Sequence, residues 1–140
     1  MTQHSQITTL RQNLAAHPVP LDGADAAVLI AIFTGSGEPE VLLTRRPTHM
    51  KSHAGEVAFP GGKRDTSDAS LTETALRESE EEVALPRACV EIIGALKPAR
   101  AKSGIKVLPV VGLVKDEPAL VGSPDEVESL FRVPLRFFFE

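Results

Sequence analysis

Glu78, Glu81 and Glu82 stand at positions i, i+3 and i+4 of the segment 71–85, LTETALRESEEEVAL. On a helix advancing about 100° per residue these carboxylates leave one face, while Glu80 points elsewhere. Like charges at that spacing repel, and a solvated helix relieves the repulsion with interleaved Lys or Arg, for which this segment offers only Arg77. A hard divalent cation such as Mg2+ or Mn2+ would remove the cost. Such ions take oxygen ligands, a few of them carboxylates, and leave other positions to water and substrate phosphate. The plain alternative is a solvated acidic face. What surrounds the run decides between them.

The helix that must carry these acids has its own start and stop signals. Ser70 followed by Glu73 forms a capping box, and Pro86 ends the helix. Upstream, Gly61 and Gly62 permit close backbone approach, so that an amide or carbonyl there can reach a cation or a phosphate. Arg45, Arg46, Lys51, Lys63 and Arg64 set a basic rim suited to a phosphate-rich ligand, although long basic side chains are more often plain surface. His49 and His53 are i, i+4 but enclose no Glu as in H-E-x-x-H, so no zinc site is expected.

Gly61-Gly62 followed by Arg77-Glu78-Ser79-Glu80-Glu81-Glu82-Val83-Ala84-Leu85 resembles the Nudix box, G-x5-E-x7-R-E-U-x-E-E-x-G-U, where U is a bulky apolar residue. Counting from Gly62, Asp68 falls where the box has Glu and lies one residue too far from Arg77, which implies an insertion. Ser79 replaces an apolar residue and Ala84 replaces the glycine, while the Arg-Glu and Glu-Glu pairs are intact. The resemblance implies an α+β chain with a Nudix fold, a mixed sheet sandwiched between helices (α/β/α), in which the box forms strand, loop and helix. It also implies Mg2+ or Mn2+ as cofactor, held by Glu78, Glu81 and Glu82 with the Gly61 carbonyl as a further ligand. Arg77 is expected to orient a carboxylate, with Glu81 and Glu73 each four residues away. The general base is sought in the box, at Glu78 or Glu81, or on a distant loop. There Asp125 and Glu126, in GSPDEVESLF, precede what reads as an apolar helix start, and Glu126 is preferred. An ordinary acidic helix N-terminus is the plain alternative.

A second stretch narrows the chemistry. Residues 42–62, LLTRRPTHMKSHAGEVAFPGG, resemble the signature of the coenzyme A pyrophosphatase branch of that family, L-L-T-x-R-[SA]-x3-R-x3-G-x3-F-P-G-G. Leu42, Leu43, Thr44, Arg46, Gly55, Phe59, Pro60, Gly61 and Gly62 fall at the required spacing, whereas Pro47 replaces Ser or Ala and Lys51 replaces Arg. Lysine keeps the charge and loses the bidentate fork. The resemblance implies hydrolysis of a diphosphate bond, converting coenzyme A or acyl-CoA to 4′-phosphopantetheine and adenosine 3′,5′-bisphosphate. Arg46, Lys51, Gly61, Gly62 and Lys63 are the substrate contacts it implies. A different nucleoside diphosphate derivative, such as ADP-ribose or a dinucleotide, is the alternative substrate. A catalytically inactive binding domain is the alternative outside enzymes.

The remainder of the chain sets bounds. Its 140 residues, 42% of them hydrophobic, suit one domain with a genuine core, read as a Nudix domain over 25–140 after an N-terminal helix and linker over 1–24. Fifteen basic against nineteen acidic residues argue against broad nucleic-acid binding. A single cysteine, Cys89, excludes an intramolecular disulfide and reads as a buried inert thiol in a reducing compartment. No signal-peptide pattern and no apolar run of membrane-spanning length is present, so a cytoplasmic protein away from membranes is expected. Ile7, Leu10 and Leu14 predict an amphipathic helix within residues 1–17, and strands are expected over 26–33, 40–44, 56–59, 90–96 and 105–114. Four of the six phenylalanines lie in residues 131–140, an association liability unless covered. Members of the coenzyme A branch generally continue further, so a truncated domain or a homodimer contact is expected there.

Overall fold

The continuously apolar run 26–33 forms the central strand β1 (Ala26–Phe33), with elements packed on both of its faces. The computed structural model describes residues 3–35, 37–49 and 54–138. β1 pairs antiparallel with β2 (Glu40–Arg45) and β4 (Gly61–Lys63). It pairs parallel with β7 (Lys106–Val114), from Ala26 opposite Val107 to Phe33 opposite Val114. β2 also carries β3 (Val57–Ala58) and β8 (Ser129–Pro134), while β7 carries β5 (Val90–Ala95) and β6 (Ala99–Arg100), giving one eight-stranded mixed sheet.

Side chains alternate along a strand, so Ala27, Leu29, Ala31 and Phe33 share one face of β1 and Val28, Ile30 and Ile32 the other. The helix α2 (Leu71–Val83) lies on the first face, burying Leu71, Ala75 and Val83. The helix α1 (Gln3–Ala16) sets Leu10 and Leu14 among Ile32, Val41 and Val111 on the second, as its apolar spacing predicts. Burying each large apolar side chain contributes about 1.5–3 kcal/mol. The mixed sheet therefore lies between two helices in a single domain. Beyond α1, the second face holds an apolar groove of about 730 Å³ bordered by Val28, Leu43, Phe59, Val107 and Phe138. Two of these side chains, Phe59 and Phe138, pack ring against ring with their centroids 6.1 Å apart. No helix among the described residues is long and apolar enough to cross a membrane.

Two local expectations are corrected. The strand expected over 56–59 is shorter, and the two glycines that follow are themselves strand: Gly61 and Gly62 pair with Val28 and Ala27. A Cβ at Gly61 would stand 2.4 Å from the Ala27 carbonyl oxygen, so only glycine lets β4 lie so close to β1. The helix expected after Glu126 does not form. Residues 124–126 make a turn, and β8 then pairs with β2, placing Phe131 opposite Leu43 and Val133 opposite Val41. Aromatic and β-branched residues facing an apolar partner strand favour this pairing over a helix.

Candidate active site

The start of α2 is fixed by Ser70, whose hydroxyl oxygen accepts the Glu73 amide at 3.2 Å. The return half of the box does not form, because the Glu73 carboxylate bonds Arg87 at 2.6 Å; Arg87 also bonds Glu80 at 3.0 Å. Glu73 is thus no partner of Arg77, contrary to one of the two options its spacing allowed. At the other end Ala84 takes the left-handed conformation, φ 59°, and donates its amide to the Glu80 carbonyl. That conformation explains why the box pattern has glycine at this position. Ser79 fits the apolar position by turning inward and donating its hydroxyl to the Ala75 carbonyl at 2.7 Å.

α2 then presents its acids to β4 and to Arg77. Glu82 accepts the Gly61 amide at 3.3 Å. Glu78 lies against Gly62 so closely that a Cβ there would stand 1.7 Å from its Oε2. Glu81, i+3 from Glu78, sits at the solvent edge, its side chain 58% exposed, where Arg77 Nη1 bonds it at 3.2 Å. The same nitrogen lies 3.4 Å from Glu78. Burial first, then the Glu78 charge, pushes the Glu82 carboxyl up to about 8, against the Gly61 amide, which pulls it down. Burial first, then the hydrogen bond with Glu81, pushes Glu78 up to about 7. The structure thus brings Glu78 and Glu82 together under β4 and leaves Glu81 at the rim. Among the described residues no three His, Cys, Asp or Glu side chains are gathered so that they could hold a metal ion by themselves.

The donor set nevertheless suits a hard divalent cation. All its atoms are oxygen, Gly62 leaves Glu78 the space a side chain would fill, and the Glu78 charge pushes the half-buried Glu82 up more than Arg46 pulls it down. At Gly61 the contact present is through the amide on Glu82; the carbonyl expected as a ligand makes no contact of its own with the acids.

Sequence reasoning missed the partner that fixes Arg77. Asp68, with its side chain 4% exposed, receives Arg77 Nε at 2.8 Å and Nη2 at 3.0 Å, the Asp65 amide at 2.9 Å and the Thr74 hydroxyl at 2.9 Å. The guanidinium above all holds the Asp68 carboxyl well below the usual range, and Asp68 in turn raises Arg77. Arg77 Nη2 also reaches the Lys63 carbonyl at 3.3 Å. The box spacing was the signal: Asp68 stands at its first acid, displaced by one inserted residue.

The basic rim divides. Arg45 bonds the Gly55 carbonyl at 3.1 Å and Arg64 bonds the Asp68 and Ala69 carbonyls at 3.2 and 3.3 Å, so both hold loops together. Arg46 is different: its Nε is buried without a hydrogen-bond partner among the described residues, and its charge favours the ionised form of Glu82. Lys63 is exposed at the end of β4. Lys51 and His53 lie outside the described residues, and His49 is exposed. Glu126 is exposed in the turn after β7, and its charge bears on both Glu78 and Glu82, although no helix follows it. Cys89 is half-buried, less enclosed than expected.

A family model described as the NUDIX domain matches residues 23–136. A relative from Yersinia enterocolitica, described as an uncharacterized Nudix hydrolase NudL, is 54% identical over 110 residues, which cover 79% of this chain and 56% of the relative. One from Yersinia pestis with the same description is 53% identical over 79% of this chain and 55% of its own. The chain thus spans about half the length of these relatives. Among solved structures, a Caenorhabditis elegans Ap4A hydrolase complex superposes with a TM-score of 0.68 at 19% identity, covering 79% of this chain and 80% of that one. The NUDIX domain of Shewanella oneidensis NrtR, complexed with ADP ribose, gives 0.60 at 22%, covering 91% and 85%. These two likenesses confirm the fold, and the family model with the Yersinia relatives gives the conclusion that the chain belongs to the Nudix family.

Proposed function

We propose that this chain is the core of a metal-dependent diphosphatase whose substrate is coenzyme A or an acyl derivative. The observation that carries the diphosphate reading is Arg46: its buried Nε has no hydrogen-bond partner among the described residues, and its charge bears on Glu82, which lies with Glu78 under β4. A phosphate oxygen is the acceptor that would satisfy that Nε. The coenzyme A reading is supported by the signature across residues 42–62, in which Arg46 is a fixed position.

Mg2+ or Mn2+ would be held by Glu78 and Glu82, with Glu81 and the Gly61 carbonyl completing the set directly or through water. Such a cation supplies charge neutralisation at the diphosphate and a more acidic bound water. Arg77, clamped by Asp68, fixes where Glu78 and Glu81 stand. Arg46 and Lys63 bind phosphate oxygens together with the Gly61-Gly62 backbone, and Lys51, outside the described residues, is the further phosphate contact that the signature implies. Glu126 accepts the proton of the attacking water. The hydroxide oxygen bonds to one phosphorus, the bridging P–O bond breaks, and the other phosphate leaves on the bridging oxygen, giving 4′-phosphopantetheine and adenosine 3′,5′-bisphosphate. Asp125 shares the turn but is not among the main influences on either buried acid, which favours Glu126.

ADP-ribose or a dinucleotide is the second reading, favoured by the fold's likeness to an Ap4A hydrolase and to a domain bound to ADP ribose. Incubation with Mg2+ or Mn2+ and a panel of coenzyme A, ADP-ribose, NADH and nucleoside triphosphates, with products resolved by mass, separates the readings. Cleavage of coenzyme A to the two products above is expected. Coenzyme A left intact while another member is cleaved overturns the substrate, and ligand binding with no cleavage of any member overturns the enzyme.

A further inference from the structure

The segment 121–128, which carries Glu126, is fastened at both ends. Val121 and Ser123 donate their amides to the Val83 and Glu82 carbonyls at 3.0 and 2.7 Å, at the C-terminal end of α2. Glu128 donates to the Arg45 carbonyl at 2.8 Å, at the end of β2 and one residue from Arg46. Between these anchors the amides of Glu126 and Val127 both reach the Ser123 carbonyl, at 3.1 and 2.8 Å, closing a turn. Val127 is buried and packs on Gly122, where a Cβ would stand 2.9 Å from Val127 Cγ1 and 3.1 Å from its Cβ. Gly122 is not in the left-handed region, so what glycine provides here is room.

We infer that Gly122 and Val127 are positioning residues whose contact folds residues 121–128 into a clasp between the acid helix and the arginine strand, holding Glu126 over Glu78 and Glu82. The inference rests on the reading of Glu126 as the proton acceptor. It gives the loop a task the hydrogen bonds alone do not: the backbone anchors fix where the segment starts and ends, and the Val127–Gly122 contact fixes how far Glu126 projects between them. A methyl group at position 122 must displace the turn by about 0.5 Å to reach ordinary contact distance, and misplacement of a reacting group by about 1 Å can cost roughly 100-fold, so a loss of about tenfold is expected.

The test uses Gly122→Ala and Val127→Ala in the Mn2+-loaded protein, against whichever panel member is cleaved. Each variant should lower kcat about tenfold with KM unchanged, and neither should lower it further in a Glu126→Gln background. Independent losses in that background overturn the inference. A second readout needs no substrate: Mn2+ should broaden the Glu126 amide resonance in the wild type and less in both variants, with the Glu82 resonance broadened equally in all three. Equal broadening at Glu126 in wild type and variants also overturns it. If Glu126→Gln retains the wild-type kcat, the proton-acceptor role fails, and the clasp stands or falls on the broadening alone.

Discussion

Asp68→Asn strikes the support of the site without touching its acids. Four donors converge on the Asp68 carboxylate: Arg77 Nε on Oδ1, and Arg77 Nη2, the Asp65 amide and the Thr74 hydroxyl on Oδ2. Asparagine keeps one accepting oxygen and puts an NH2 where the other was. With the oxygen retained at the crowded position, that NH2 faces Arg77 Nε, and a charge-assisted bond becomes two opposed donors. Losing such a bond costs about 1.5–3 kcal/mol, and breaking a fully buried ion pair about 3–5 kcal/mol. Arg77 is 25% exposed and keeps Glu81, so the expected cost is about 3 kcal/mol, where those ranges meet. For a domain of this size that lowers Tm by about 10 °C, read by circular dichroism at pH 7. The pH dependence has a definite sign. The folded Asp68 carboxyl lies below its unfolded value of about 3.9, so its stabilisation is present above that pH and is lost as pH falls below it. The gap between wild type and variant should therefore narrow in acid. A variant melting within about 2 °C of wild type at pH 7 would refute the reasoning that this cluster holds Arg77.

Other outcomes follow from the same geometry. Ala84→Gly relieves a left-handed alanine and should raise stability by about 0.5–1 kcal/mol after the extra freedom of the unfolded chain is counted; an unchanged or lower Tm would contradict it. Glu78 and Glu82 are pushed up to about 7 and about 8, so the metal-free protein holds more protons folded than unfolded and should lose stability as pH rises from 5 to about 8.5. Saturating Mg2+ should flatten that slope in a thermal melt, and Glu82→Gln should flatten it without metal while abolishing turnover. A variant with the wild-type pH slope or the wild-type rate would show that Glu82 has been misassigned.

β1, β7 and the acid face of α2 are legible in the sequence because each is a local pattern: continuous apolar runs, and glutamates at helical spacing behind a serine cap. Asp68 is harder to read, since a motif counts residues along the chain while Arg77 is reached through space. The extra residue is absorbed by a tight turn in which the Asp65 side chain accepts the Ser67 amide at 3.1 Å and its carbonyl accepts the Asp68 amide at 2.9 Å. β8 is misread as a helix start because nothing local reveals that β2, far earlier in the chain, offers it an edge. The two-sided use of the arginines is hidden for a similar reason. Arg45, Arg46 and Arg64 look alike in sequence, and only the carbonyls of Gly55, Asp68 and Ala69 distinguish the structural pair from the one whose buried Nε finds no partner among the described residues.

The acids also sit at a particular end of their helix. Glu81 and Glu82 lie in the last turn of α2, where no basic residue stands, and the amides of Ala84, Leu85, Val121 and Ser123 cap its carbonyls. The aligned peptide dipoles of a helix place about half a negative charge at its C-terminus, which makes that end unfavourable for carboxylates and favourable for a cation. The backbone therefore adds its own field to that of the side chains, drawing positive charge to the place where Glu82 meets β4. Removing one carboxylate would leave this contribution standing, so Glu82→Gln should retain weak cation binding after its catalysis is gone.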